Sequence, residues 1–312
     1  MASLLTSHRP VLAITLKLCA VFLFTIMAAL IKATSDEVPP GEAVFFRSFF
    51  AIPVIVIWLT LRGDLRHGLI PQNLRGHAWR GVLGTSAMGL TFAGLGLIPL
   101  PEVTAIGYAT PIFTVLLAAL LLGERIRLIR ISAVLVGLIG VLVMLWPRLG
   151  AGGGLQDAAS LGTMMILAAT MLRAMVQIHI RKLVQTDHAT AIVFYFSVIA
   201  SLLSLLSLPF GWVLPEPDVA ALLVLSGLIG GVAQILVTSS FRFAPVSMLA
   251  PYDYTSMLFA ILIGFVWFSE LPTALMLIGA GLVIAGNILV IWREHRLGLE
   301  RARAQSVSDP KG

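Results

Sequence analysis

This sequence has little charge. Only 12% of its 312 residues are charged, about half the share of a soluble domain. Hydrophobic residues make up 58% of the chain and its mean hydropathy is +0.98. This composition excludes a water-soluble globule. The apolar residues come in runs of about 20, the length of a membrane-spanning helix, without the ten-residue alternation of barrel strands.

The motifs of several enzyme and cofactor classes are also absent. Cys19 is the single cysteine, which excludes an internal disulfide and a thiolate metal cluster. None of the four lysines follows a glycine, so the chain has no phosphate-binding loop for ATP. Zinc-protease and serine-hydrolase motifs are missing as well. We therefore expect no enzyme, no cofactor and no metal, and a channel is disfavoured because no rings of charge are evident.

Apolar runs bounded by proline, glycine and charge predict an all-α membrane protein with ten transmembrane helices. The first run is long enough to be a retained helix and not a signal peptide. The predicted spans are 11–31, 43–61, 79–98, 102–122, 129–146, 161–180, 189–208, 219–240, 246–268 and 272–292.

Basic residues predict the orientation of these spans. The net charge is +6 and the pI is near 10.0, but the basic residues lie between helices, which favours lipid and not nucleic acid as the partner. With the N-terminus inside, sixteen Lys and Arg residues fall on the cytoplasmic side and two on the outer side. The positive-inside rule then places both termini in the cytoplasm of a bacterium, with the spans in its inner membrane.

The two halves of the chain repeat one pattern. A shift of 146 residues aligns Gly84 with Gly230, Pro99 with Pro245 and Tyr108 with Tyr254, among other identical pairs. Each half holds five spans, an odd number, so the second half must enter the membrane inverted. The predicted organisation is a first repeat at 11–146, a glycine-rich linker at 147–160, a second repeat at 161–292 and a basic cytoplasmic tail at 293–312. Inverted repeats are typical of secondary transporters.

Two motifs resemble a known family. The stretch Ala109-Thr-Pro-Ile-Phe-Thr-Val-Leu-Leu-Ala-Ala-Leu-Leu-Leu-Gly-Glu-Arg125 is similar to a signature of the drug/metabolite transporter superfamily, in its ten-helix EamA-domain branch. The stretch from Glu42 to Arg47 resembles the start of that family's second helix. The resemblance implies two inverted five-helix repeats around a central cavity lined mainly by helices 1, 3, 4, 6, 8 and 9. It also implies secondary transport by alternating access.

Ionisable side chains inside the spans are the strongest candidates for a binding site, because each costs about 2.5–3.5 kcal/mol at a helix centre. Lys17, Arg173 and Asp253, with Gln234, fall about 10–12 Å from the predicted cytoplasmic edge. Gln177, four residues after Arg173, is assigned to the same substrate layer. Two alternatives stay open: Lys17 snorkels to the surface, and Arg173 forms a structural pair with Asp253.

Three tyrosines complete the predicted substrate site. Tyr252 and Tyr254 flank Asp253, while the inverted topology puts Tyr108 near the outer side of helix 4. One tyrosine on each side suits a pair of gates or a stacking surface for a ring, and an interfacial belt is the alternative. 

Three further charged residues are assigned structural roles. Arg47 is expected to be structural, snorkelling toward the outer surface. Glu124 and Glu270 are expected to favour the positive N-terminus of the helix that follows each of them.

The predicted function is movement of a small polar or ring-bearing metabolite, with a coupling proton as a further partner. Riboflavin uptake is the first hypothesis for the substrate. Export of amino acids or related metabolites and uptake of S-adenosylmethionine are the alternatives. Residues 11–31 contain no acid, so the proton coupling of small multidrug members, which uses a glutamate in the first helix, does not carry over.

Overall fold

The computed structural model describes residues 10–63, 65–122, 128–150, 157–240, 243–244 and 246–289. Within these ranges the chain forms helices and no strands. Besides a short helix at Leu65–Gly68, ten helices follow one another: α1 (Pro10–Ala33), α2 (Pro40–Phe49 and Ala51–Leu61), α3 (Leu74–Leu95), α4 (Leu100–Gly107 and Thr110–Leu122), α5 (Leu128–Gly150), α6 (Ala158–Leu183), α7 (Ala189–Ser204 with the 3-10 turn Leu205–Phe210), α8 (Pro217–Ser240), α9 (Val246–Leu249, the 3-10 segment Ala250–Tyr254, and Thr255–Phe268) and α10 (Ala274–Leu289).

The ten helices overlap the ten predicted spans, which confirms the fold class. Seven of them contain stretches long and apolar enough to cross a membrane, in α1, α2, α4, α6, α7, α8 and α9. Shorter apolar stretches lie at Leu135–Met144 in α5 and at Ala274–Leu289, which is α10. Glu124, most of the predicted linker at 151–156 and the tail at 293–312 lie outside the described residues.

Prolines explain the breaks in three helices. A proline cannot donate a hydrogen bond to the carbonyl four residues earlier, and its ring clashes with that carbonyl. Pro53 accordingly follows the break at Phe50 in α2, and Pro111 follows the break after Gly107 in α4. The second repeat has Met257 in place of Pro111, and α9 is instead interrupted at Pro251, inside its 3-10 segment.

Helix packing shows that the repeats are inverted and interleaved. α1 packs along α8, and α3 packs in the equivalent way along α6, so that each helix pair joins the two repeats. The repeat-related helices α2 and α7 contact each other, as do α4 and α9. This exchange of partners is what a pseudo-two-fold axis in the membrane plane produces.

The two ends of the bundle can be defined by their contacts. At one end, here called the Glu270 end, the last turns of α1, α3 and α9 meet the start of α4 through Lys32, Leu100 and Glu270. At the opposite end, the Asp187 end, the start of α3 meets the loop between α6 and α7. Helix α4 therefore begins where its repeat mate α9 ends, which confirms the inversion.

Glycines allow the closest helix contacts. A side chain at Gly279 in α10 would lie 2.5 Å from the carbonyl oxygen of Gly140 in α5, and one at Gly140 would lie 2.6 Å from the carbonyl oxygen of Gly279. Small residues of this kind let helix backbones touch in lipid. Around this contact, Met144, Met276 and Val283 belong to one of the two main apolar clusters.

Candidate functional site

An ion pair joins α1 to the break in α9. Lys17 Nζ lies 2.7 Å from Asp253 Oδ1. The lysine side chain is 6% exposed and the aspartate side chain 52% exposed. Lys17 is therefore held inside the bundle and does not snorkel, while the carboxylate keeps an accessible face. The alternative in which Arg173 forms a structural pair with Asp253 is not what the structure has, because the ion-pair partner of Asp253 is Lys17.

Two repeat-related tyrosines meet beside this pair. The rings of Tyr108 and Tyr254 are in edge-to-face contact, with centroids 5.1 Å apart. The Tyr108 hydroxyl donates to the Tyr254 carbonyl at 3.1 Å and lies 2.6 Å from Ser256 Oγ. The expectation that these tyrosines guard opposite sides is wrong: each lies at the break of its helix, and the breaks of α4 and α9 face each other.

Arg173 lies close to Gly107, the residue before Tyr108. Its Nη2 donates to Thr91 Oγ1 at 3.3 Å, and a side chain at Gly107 would lie 3.8 Å from Nη1. The guanidinium therefore lies next to the break in α4, one residue before Tyr108. Its Nε is buried and has no hydrogen-bond acceptor among the described residues. A buried donor without an acceptor is rare, and it suits a ligand that brings one.

The other predicted residues fall in different places. Gln177 is exposed and accepts a hydrogen bond from Thr114 at 3.2 Å, on the α4 side of α6. Tyr252 is half-buried in the same 3-10 segment as Asp253. Gln234 instead lines a small cavity with Arg47 and Arg80, between α2, α3, α7 and α8. It therefore belongs to a second polar group.

One residue of this region was missed by sequence reasoning. Asn287 in α10 is 2% exposed, and its side-chain amide donates to the Tyr108 carbonyl at 2.9 Å. This contact satisfies an acceptor that the break in α4 would otherwise leave open. An amide inside an apolar span was the signal that could have identified it.

Arg47 does not reach the outer surface. It is 8% exposed, and its Cζ lies 5.9 Å from the centroid of the Phe196 ring. Arg80 packs more closely on the same ring, with its Cζ 3.5 Å from the centroid. The expectation that Arg47 snorkels is wrong, because an aromatic side chain of α7 holds it inside.

A buried network closes the Glu270 end. Lys32 Nζ donates to the carbonyls of Leu95 and Ile98, both at 2.9 Å, and lies 3.0 Å from Glu270 Oε1. The other carboxylate oxygen, Oε2, accepts from the Leu100 backbone N–H at 2.9 Å. Glu270 thus caps α4 and not the helix that follows it in sequence, a correction to its predicted role. Repeat inversion brings α4 there, and local sequence could not show it.

A second network, also missed, closes the Asp187 end. His77 Nε2 lies 2.9 Å from Asp187 Oδ1, and both side chains are buried. The same oxygen accepts from the Gln72 N–H at 2.7 Å, and Thr186 donates to Oδ2 at 2.6 Å. Burial opposes ionisation of Asp187, but the hydrogen bonds from Thr186, His77 and Gln72 outweigh it and lower the pKa to about 2.

A ten-helix membrane protein with inverted repeats, broken helices and charged side chains at the breaks has the architecture of a secondary transporter. The sequence profile of the EamA-like transporter family matches residues 11–146 and 160–292. The chain therefore belongs to the EamA-like transporter family, within the drug/metabolite transporter superfamily, and is a multi-pass membrane transporter.

Similar proteins include transporters named for different substrates. The chain is 29% identical over 276 residues to the pseudopaline exporter of Pseudomonas aeruginosa, which covers 88% of this chain and 94% of that protein. It is 28% identical over 255 residues to the S-adenosylmethionine uptake transporter of Rickettsia prowazekii, covering 82% and 84%. A crystal structure matches with a TM-score of 0.62 at 22% identity, covering 91% of this chain and 98% of that one, and shares the fold.

Proposed function

We propose that this transporter carries a zwitterionic metabolite with an α-amino-acid group, across the inner membrane of a bacterium with both termini in the cytoplasm. The observation that carries the proposal is a pair of charged groups at the two helix breaks: the half-exposed carboxylate of Asp253 in α9, and the guanidinium of Arg173 next to Gly107 in α4, with its Nε buried and unpartnered among the described residues. An ammonium and a carboxylate on one molecule complement these two groups.

The ammonium end is assigned to Asp253. Lys17 occupies one carboxylate oxygen at 2.7 Å, and the 52% exposure of the side chain leaves room for a second cation. A substrate amine would share the carboxylate with Lys17, or replace it as the helices move. Either event links substrate binding to the contact between α1 and α9.

The carboxylate end is assigned to Arg173. Its unpartnered Nε and the weak 3.3 Å contact to Thr91 leave donors for an incoming anion. Lys17 and Arg173 together also exceed the single charge of Asp253, so an anionic group on the substrate balances the site. Gln177 is on the same helix as Arg173 and Tyr252 is next to Asp253 in sequence, and we include both in the proposed site.

The tyrosine pair selects the rest of the substrate. Tyr108 and Tyr254 form an edge-to-face aromatic pair at the two helix breaks, suited to a ring or a sulfonium. S-adenosylmethionine combines an amino acid, a sulfonium and an adenine, and a relative is named for its uptake. Amino acids are the alternative. The relatives give no support to riboflavin, which lacks an amino-acid group.

Uptake into proteoliposomes tests this proposal. We expect purified protein to move S-adenosylmethionine or an amino acid, and not riboflavin, from a panel offered with and without a proton gradient. Asp253→Asn and Arg173→Gln should each lower uptake by at least tenfold while the protein stays folded by thermal unfolding. Asp157→Asn, an exposed acid at the start of α6, is the matched control and should transport normally. Transport of riboflavin alone would overturn the proposal.

A further inference from the structure

Two arginines bring positive charge into the region where α2, α3, α7 and α8 meet. Arg80 and Arg47 lie on the same Phe196 ring, at 3.5 Å and 5.9 Å. Among the described residues the ion pairs of the chain join other partners, and no acid lies within 4 Å of either arginine. An aromatic ring stabilises a cation but cannot neutralise two neighbouring like charges.

Several guanidinium donors also lack acceptors. Arg47 Nε, Arg80 Nε and Arg80 Nη1 are buried, with no hydrogen-bond partner in the described part of the chain. Arg47 as a whole is more than nine-tenths buried. Buried donors almost always have a partner, and an uncompensated buried charge is strongly destabilising. Three such donors at one place call for a ligand that accepts several hydrogen bonds.

The same place contains a small cavity. Its volume is about 20 Å³, and besides the two arginines and Phe196 it is lined by Ser197, Gln234 and small or apolar residues. A water molecule needs about 10–15 Å³ of such space. The cavity therefore admits one or two water-sized particles and excludes a phosphate group or a lipid headgroup.

A glycine leaves room for one of the two arginines. A methyl group at Gly84 would overlap the guanidinium of Arg80, whereas one at its repeat mate Gly230 would make only an ordinary contact with Arg47 Nε, at 3.5 Å. Gly84 is therefore required for the position of Arg80, and the cavity lies between helices of the two repeats.

We infer that Arg47 and Arg80 bind a small inorganic anion of the chloride class between the two repeats. Water alone is a poor occupant, because it accepts about two hydrogen bonds and leaves both positive charges uncompensated. A halide accepts several hydrogen bonds, fits the volume and offsets the repulsion. This site is separate from Asp253 and Arg173, so the inference does not depend on the proposed substrate.

Chloride dependence of thermal stability tests the site on the full-length protein in detergent. We expect chloride, titrated against gluconate at constant ionic strength, to raise the unfolding midpoint saturably, by about 5 °C at 100 times its dissociation constant. Bromide should act in the same way. Arg80→Gln should abolish the response. Arg75→Gln, an exposed arginine on the same helix, should retain it.

Direct binding keeps the test decisive if Arg80→Gln does not fold. Equilibrium dialysis of the wild-type protein with radioactive chloride should give one saturable site per chain. Equal midpoints in chloride and gluconate, or a chloride response that survives in folded Arg80→Gln, would overturn the inference. So would dialysis without saturable binding, which would mean that the cavity holds water alone.

Discussion

The network at the Glu270 end gives a prediction that can be worked out in energy. Lys32 and Glu270 are 11% and 17% exposed, so water screens their attraction only weakly. Removing one partner of a buried ion pair costs about 3–5 kcal/mol. Because both side chains keep some exposure, we expect Lys32→Met to cost about 3 kcal/mol, the lower end of that range. The carbonyls of Leu95 and Ile98 also lose their donor in this variant.

Glu270→Gln separates charge from hydrogen bonding. The glutamine side-chain oxygen can still accept from the Leu100 N–H, and Lys32 keeps the carbonyls of Leu95 and Ile98 as acceptors, so the cost should be smaller than for Lys32→Met, at about 1–2 kcal/mol. In the double variant neither charge is stranded. The double variant should therefore be destabilised by less than the sum of the two single variants, with a coupling energy of about 1–2 kcal/mol.

Thermal unfolding of purified protein in detergent measures these effects. At about 2 °C per kcal/mol for a chain of this size, Lys32→Met should lower the midpoint by about 6 °C. The matched control is Lys182→Met, because Lys182 is an exposed lysine near the other end of the bundle, and it should shift the midpoint by less than about 1 °C. Equal shifts for the two lysine variants, or strict additivity of Lys32→Met and Glu270→Gln, would refute the reasoning.

Three further predictions concern pH, packing and topology. The depressed pKa of Asp187 means that its ionised carboxylate stabilises the protein fully above about pH 4, and that this stabilisation is lost as the pH falls toward 2. The difference in unfolding midpoint between the wild type and Asp187→Asn should therefore shrink over that interval. A difference that is unchanged at pH 2 would contradict this. Gly279→Ala should lower the midpoint by several degrees because its methyl would meet the Gly140 backbone, whereas Gly281→Ala, with nothing within 4 Å, should be neutral; equal effects would count against close α5–α10 packing. Reporter fusions at Gly63 should be cytoplasmic and at Pro217 periplasmic, and the same location for both would contradict the proposed orientation.

The architecture could be predicted from the sequence because lipid leaves few options. A helix that spans the membrane must be about 20 apolar residues long, so its position is visible in composition alone. The 146-residue offset then identified the repeats, and their odd span number required inversion.

The partners of charged residues could not be predicted in the same way. Depth along a helix placed Lys17, Arg173 and Asp253 in one layer, but depth does not say which helices face each other. The packing of the helices determines the partners. Because α9 packs on α1, Asp253 pairs with Lys17. Helix packing also explains why Glu270 caps α4 and not the helix that follows it in sequence. Its partner, the Leu100 N–H, lies 170 residues away in sequence.

Helix breaks account for the remaining differences. Counting residues along a straight helix separated Tyr108 from Tyr254, but Pro111 and Pro251 interrupt both helices at these tyrosines. The breaks lie where α4 and α9 meet, so the rings touch. Sequence reasoning that treated each proline as an interruption inside a span, and not only as a span boundary, would have anticipated this contact.

Recognition of both ends of an amino-acid group is the central claim, and one competition measurement tests it most directly. Uptake of the labelled substrate into proteoliposomes would be measured in the presence of one of three competitors: the unlabelled substrate, its decarboxylated amine or its deaminated acid. We expect the wild-type protein to discriminate at least tenfold against both analogues, and Asp253→Asn to lose its discrimination against the deaminated acid. If folded, active Asp253→Asn still discriminates against the deaminated acid as the wild type does, Asp253 does not bind the ammonium group.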